Sequence, residues 1–325
     1  MKKRILITGG SGFIGTNLIE FYKNNFEILS IDIKPPKITS HKVFWKQIDL
    51  LDEVAILNAF TDFKPNYIFH FGAKTDLDGA NLSDYDSNIT GVQNVINAIK
   101  KIDAIEKAIF ASSRLVCEIG YKPKDEFDYK PSTHYGESKV IGEKLVRDSL
   151  SLTNNWIIVR PTSLWGPWFE IPYRNFFDTI FKNLYRHPKG IKIYKKFGYI
   201  ENCVYILDKL RTDQTLNKKT VYLSDFETIE LNNWSNLISQ NFHQKNVKTI
   251  PVSILKLVSL LGDLLKEAGV KNPLLSSFRL NNLLTNMDYD TTLDETLVGK
   301  LPYNLEVATK ITCDWYKKNN ECIKI

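Results

Sequence analysis

The segment Ile5-Leu6-Ile7-Thr8-Gly9-Gly10-Ser11-Gly12-Phe13-Ile14-Gly15 constrains this chain more than any other. An apolar strand runs straight into glycines at positions 9, 12 and 15, and these open an apolar-faced helix. Gly9 permits a tight turn off the strand, Gly12 lets a diphosphate approach the backbone, and Gly15 lets the helix lie close to the sheet. A helix that starts there turns its amides and its dipole toward a phosphate. Asp32 closes a second apolar strand, Glu27–Ile31, at about the twenty-residue spacing that the dinucleotide fingerprint requires.

From the start to about Pro161, strand and helix patterns alternate. Strands are predicted at Arg4–Thr8, Glu27–Ile31, Val43–Ile48, Tyr67–Phe71, Lys107–Ala111 and Trp156–Arg160. Helices are predicted at Phe13–Lys23, Glu53–Phe60, Tyr85–Ile99 and Tyr135–Leu150. That rhythm specifies an α/β, doubly wound, parallel-sheet Rossmann fold, with ligands beyond the carboxyl ends of the strands. Residues 1–162 are read as the NAD-binding domain. Residues 163–325, rich in aromatics and proline at their start, are read as a smaller substrate-binding lobe from which segments return to the sheet.

The 325 residues carry 43 basic and 37 acidic side chains, a net charge of +6, without a dense basic run. Nucleic acid is therefore not an expected partner. Cys117, Cys203, Cys313 and Cys322 show no zinc or redox spacing and read as reduced thiols of a cytoplasmic protein. No metal site is expected, since Asp76 and Asp78 lack further ligands nearby. No apolar run is long enough to span a membrane. Ile254–Leu265, interrupted by Lys256 and Asp263, reads as an amphipathic helix packed on the second lobe, with rest on a membrane surface as the less favoured reading.

A second constellation carries the chemistry. In Tyr135-Gly136-Glu137-Ser138-Lys139, Tyr135 and Lys139 fall one helical turn apart on the same face. An ammonium beside a phenol favours the phenolate and brings its pKa toward working pH. Ser113, in the Ser112-Ser113 pair that follows the fifth strand, offers a hydroxyl to the same substrate oxygen. Together they can move a proton on or off an alcohol while a nicotinamide takes or gives the electrons.

At these residues the chain resembles the extended short-chain dehydrogenase/reductase family, also called the NAD-dependent epimerase/dehydratase family. Thr8 to Gly15 match its glycine motif, with Phe13 and Ile14 opening the helix. Asp32, followed by Ile33 and Lys34, falls at its ribose-binding acid, and Asp49-Leu50 at its adenine-contacting pair. His70-Phe71-Gly72-Ala73 resembles its cofactor-lining segment, and Asn88-Ile89-Thr90-Gly91 its Asn-x-x-Gly. Ser113, Tyr135 and Lys139 fall on its catalytic positions. Arg160-Pro161, followed by Thr162, falls on its Arg-Pro.

The resemblance implies a small-molecule substrate, a nucleotide-linked sugar, and a homodimer formed through residues 85–99 and 135–150. The Asp32 carboxylate suits the two ribose hydroxyls of NAD and would repel the 2′-phosphate of NADP, a repulsion that Lys34 softens.

Departures narrow the reaction. The family's dehydratases place Asp-Glu after the catalytic Ser/Thr, whereas this chain has Arg114 and Leu115, so a 4,6-dehydratase is not expected. Val116-Cys117-Glu118 replaces the usual Val-Tyr-Gly. Many members carry a diphosphate-clamping arginine just before a strand resembling Cys203–Asp208, and Glu201 stands near that position. Either Arg174 or Arg279 would then supply the cation, or the substrate carries no diphosphate. Asp76 and Ser163 are further candidate substrate contacts. His134 reads as a helix-start residue, and Trp165 and Trp168 as pocket wall or packing.

The expected function is oxidation, reduction or epimerisation of a secondary alcohol on a sugar. Two alternatives stand beside it: a reductase or dehydrogenase of a hydrophobic alcohol, and a dinucleotide-sensing module without chemistry.

Overall fold

Alternating apolar runs fold as strand, helix, strand because each strand buries both faces, as Tyr67–His70 does along its whole length. A computed structural model of the protein describes residues 2–150, 155–171, 174–270 and 275–321. The strands of the main sheet are β1 (Arg4–Thr8), β2 (Glu27–Asp32), β3 (Trp45–Gln47), β4 (Tyr67–His70), β5 (Lys107–Ala111), β6 (Trp156–Pro161) and β7 (Lys219–Leu223). The helices are α1 (Phe13–Tyr22), α2 (Glu53–Phe63), α3 (Thr90–Ile99), α4 (His134–Ser149), α5 (Arg174–Phe181), α6 (Ile200–Thr212), α7 (Leu231–His243), α8 (Val252–Glu267), α9 (Ser277–Leu284), α10 (Thr292–Val298) and α11 (Leu305–Glu321).

The seven strands lie in the order β7-β6-β5-β4-β1-β2-β3. Every pairing is parallel. Both β2 and β4 pair with β1, so the strand order reverses there, and crevices for ligands open at such a switch point. Leu6, Ile68, Phe110 and Ile158 of the sheet bury against Val95, Ile96 and Ile99 of α3 and Val146 of α4.

One unit comprises Met1–Leu164, Gly198–Asp225 and Asp290–Pro302. The other comprises Trp165–Phe197, Phe226–Tyr289 and Tyr303–Ile325. Within the first unit, α6 stays beside the sheet, where Tyr22 of α1 donates to Asp208 at 3.0 Å. In the second, Trp165 stacks on Phe177 at 5.9 Å and meets Trp234 at 5.0 Å, so it belongs to that unit's own core.

Three expected elements are corrected. Val43 and Phe44 end a short 3-10 helix, Thr39–Phe44, which leaves only Trp45–Gln47 as strand. The helix expected at Tyr85–Ile99 is two pieces, a 3-10 segment Leu82–Asn88, itself kinked at Tyr85, and then α3, which meet at Ile89. Cys203–Asp208 is not a strand; it lies inside α6, where Cys203, Ile206, Leu207 and Leu210 supply a buried stripe at helical spacing. Cys117, Cys203 and Cys313 are free and buried, while Cys322 lies outside the described residues.

Candidate active site

Parallel pairing brings the carboxyl ends of β1, β2, β4, β5 and β6 to one edge of the sheet. The register sets Thr8 beside Ile31 and His70, His70 beside Phe110, and Ala111 beside Val159. The fingerprint turn, Phe71–Ala73, the Ser112-Ser113 pair and Thr162 all leave that edge.

Gly9 has φ +72°, and a Cβ there would sit 2.6 Å from the backbone of Phe71 and Gly72. At Gly15 a Cβ would overlap the Gly9 carbonyl. These two positions therefore require glycine, and their absent side chains shape the cradle that a dinucleotide diphosphate fits. Gly12 caps α1 without a side-chain acceptor, so Phe13 and Ile14 begin the helix beside an uncovered backbone.

Asp32 braces the cradle. Its carboxylate accepts from the Ser11 amide at 3.0 Å and from the Lys34 amide at 2.9 Å. Each oxygen keeps a further lone-pair direction that ribose hydroxyls can use. Ile33 beside it is exposed. Asp49 is exposed and accepts from the Leu51 amide at 3.0 Å. Leu50 is buried, and its side chain fills the space that a Cβ on Gly72 or Gly91 would need.

Asn88 is fully buried and ties three elements together. It accepts from the Lys74 amide at 2.9 Å, donates to the Lys74 carbonyl at 2.9 Å and donates to the Ser138 hydroxyl at 3.0 Å. The loop after Ala73 is thereby pinned to α4.

Thr133 starts α4 by accepting from the Gly136 amide at 3.0 Å. The helix then buries Tyr135, Ser138 and Lys139 on one face. The Tyr135 ring packs 6.0 Å from that of Tyr85. Lys139 donates to the Ala111 carbonyl at 3.0 Å, and burial lowers its pKa to about 8 against the upward pull of Glu143. Ser113 is buried beyond the same strand end and accepts from the Leu115 amide at 3.1 Å. His134, exposed, points to Glu137 at 3.5 Å.

Three features of the site had weaker signals in the sequence. The Thr8 hydroxyl accepts from the Gly72 amide at 3.1 Å and lies 2.8 Å from Nδ1 of His70. Burial, helped by the Lys139 charge, lowers the His70 pKa to about 3, so its ring is neutral. Glu143, four residues after Lys139, grips Arg160 at 2.8 and 2.9 Å, with both side chains about 1% exposed. Helical spacing from Lys139 was the signal for Glu143. Arg114 is 7% exposed, and its Nε has no hydrogen-bond partner among the described residues. His70, Asn88, Ser112, Lys139 and Glu143 share a cavity of about 10 Å³.

The candidate substrate residues are divided between the two units. Ser163 is buried in the first unit, and Asp76 is exposed with Lys74 3.9 Å away. Arg174 and Arg279 belong to the second unit, where Arg174 donates to Asp178 at 3.3 Å. Glu201 accepts from the Tyr199 hydroxyl at 3.0 Å in the first turn of α6. Among the described residues no group of His, Cys, Asp and Glu is arranged to hold a metal.

The same architecture recurs in UDP-glucose 4-epimerase of Thermotoga maritima, with a TM-score of 0.75 at 16% identity over 98% of this chain and 99% of that one. It recurs in Bacillus cereus UDP-glucuronic acid 4-epimerase, solved with NAD, with a TM-score of 0.73 at 18% identity over 97% and 99% of the two chains. In sequence, the chain is 24% identical to the N-acetyl-alpha-D-glucosaminyl-diphospho-ditrans,octacis-undecaprenol 4-epimerase of Escherichia coli O157:H7, over 94% of this chain and 92% of that enzyme. The match to Bacillus subtilis UDP-glucose 4-epimerase, at 26% identity, covers 47% of this chain and 50% of that enzyme. A match to the 3-beta-hydroxysteroid dehydrogenase of Mycolicibacterium neoaurum, at 25% identity, covers 62% and 59%. Residues 5–220 match the NAD dependent epimerase/dehydratase family. The chain belongs to that family and is an enzyme of the NAD-dependent short-chain dehydrogenase/reductase type.

Proposed function

We propose that this enzyme inverts a secondary alcohol, at C4, of an N-acetylhexosamine that a diphosphate links to a polyprenol. The observation that carries this reading is the near-full-length match to an enzyme named for such a substrate, whereas the match to a UDP-glucose 4-epimerase stops at about half of each chain. Glu201 stands where many relatives carry a diphosphate-clamping arginine, so another cation must meet the diphosphate. Arg114 is the replacement cation in this account. A buried guanidinium without a partner on its Nε is costly, and an anionic ligand oxygen would relieve that cost.

Bound NAD supplies a reversible two-electron acceptor. Asp32 holds its adenosine ribose, and the Gly9–Gly15 cradle its diphosphate. Tyr135 takes the proton of the sugar hydroxyl and returns it once the sugar presents its other face. Lys139, charged below about pH 8, steadies the phenolate that takes that proton. Ser113 aligns the reacting oxygen. Arg114 and Leu115 offer no carboxyl to expel a hydroxyl, so the ring loses no water. Pairing of two copies through residues 85–99 and α4 belongs to the same proposal.

Purified enzyme with NAD is incubated with undecaprenyl-diphospho-N-acetylglucosamine or with UDP-N-acetylglucosamine, and the sugars are released by mild acid and identified. Galactosamine stereochemistry is expected from the lipid-linked sugar, with no net reduced nicotinamide. Conversion of the UDP-sugar alone would overturn the carrier assignment. Reduced nicotinamide rising in step with product would replace epimerisation by net oxidation, the outcome that the match to a hydroxysteroid dehydrogenase favours.

A further inference from the structure

The helix α8 is built inside out. Its buried positions are Leu255, Ser259 and Gly262, and this small, mostly polar side is seated beside α9. There the Ser277 amide donates to Asp263 at 3.1 Å, and the Ser277 and Ser259 hydroxyls lie 3.5 Å apart. Meanwhile Ile254, Leu257, Val258, Leu260, Leu261, Leu264 and Leu265 are each 37–61% exposed. At the helical period these seven fill an arc of roughly 160°, broken only by Ser253 in the first turn. An ordinary surface helix would turn that arc inward, which is what the sequence pattern predicts for Ile254–Leu265; the structure corrects this.

We propose that α8 is a membrane-surface anchor whose leucine arc enters the headgroup layer of an anionic phospholipid bilayer. Three observations select this occupant. The helix has 16 residues, about 24 Å at 1.5 Å per residue, too short to cross a bilayer but suited to lying along one. Lys256 is exposed roughly 40° beyond one edge of the arc, past Glu267, where its long stem can lie over acyl chains and reach phosphates. The chain as a whole carries +6, complementary to an anionic surface. A fourth consideration rests on the proposed substrate: a polyprenol keeps its sugar at a bilayer, so the enzyme that works on it gains by residing there.

The test is flotation with vesicles of phosphatidylcholine and phosphatidylglycerol at 3:1, and of phosphatidylcholine alone. The full chain is compared with the triple variant Leu257→Glu, Leu261→Glu, Leu264→Glu, whose thermal unfolding should match wild type because these side chains face outward. Wild type is expected to float with the anionic vesicles, less so at high salt, and the variant to lose at least tenfold in bound fraction. Equal flotation of both proteins, or none by wild type, would overturn the anchor. So would a wild-type dimer that the triple variant splits, without vesicle binding, because the arc would then cover a second copy. Flotation without turnover of the lipid-linked sugar sustains the anchor and counts only against the carrier assignment. Turnover of that sugar without flotation does the reverse.

Discussion

Replacing Tyr135 by phenylalanine is expected to lower turnover by about 10²–10⁴-fold, the usual contribution of a positioned proton carrier. NAD affinity should hold, because the ring that packs on Tyr85 remains and only the hydroxyl is lost. Kinetics and cofactor titration on the same preparation check both halves. Near-wild-type turnover would remove Tyr135 from the chemistry. The wild-type rate should also decline above about pH 8, as the buried Lys139 loses the charge that steadies the phenolate. That limb follows from burial lowering the lysine's pKa, so the ammonium is present below the limb and absent above it.

The largest effect on stability is expected at Glu143. Its carboxylate takes two hydrogen bonds from Arg160 and one from the Tyr129 hydroxyl, at 2.9 Å, inside the first unit. Arg160 also donates to the Glu126 carbonyl at 2.7 Å, so its guanidinium cannot simply swing out to water. Glu143→Leu leaves that cation buried without its anion, a loss of about 3–5 kcal/mol. For a unit of this size the unfolding midpoint should fall by roughly 10 °C. Coupling Glu143→Leu with Arg160→Met should recover much of that loss, since a removed pair costs less than a broken one. A single variant that melts like wild type would show that water or another group replaces the carboxylate.

Much of the first unit was legible because local pattern and tertiary need agree there. β1 and β5 match their expected bounds, and the glycine spacing places a turn that the sheet then closes around. Misses occurred where a non-local packing decision overrode the local pattern. Val43 reads as strand until the 3-10 helix Thr39–Phe44 uses up the residue, and Cys203–Asp208 reads as strand until its neighbours complete a helical stripe. Periodicity alone could not tell which side of Ile254–Leu265 faces protein. The seat of α8 is a serine, a glycine and one leucine, and hydrophobicity gives no sign of such a seat. The seventh strand, Lys219–Leu223, is short and lies far from β6 in sequence, so only the folded sheet identifies it.

Within the site, two of the residues named from spacing meet at one strand end. Ser113 leaves the edge where Ala111 ends β5, and Lys139 donates to the Ala111 carbonyl. What spacing could not show is how these groups are held. Asn88 fastens the loop at Lys74 to Ser138, and Thr8 fixes the neutral His70 under the cofactor cradle. Both depend on groups more than forty residues apart in sequence.

The most direct test of the central claim is proton NMR of the product formed in deuterium oxide. If electrons leave and return through a held nicotinamide while Tyr135 handles only the hydroxyl proton, the carbon-bound hydrogen at the inverted centre must be the original protium. Deuterium at that carbon would mean inversion by exchange with solvent, and would contradict the account.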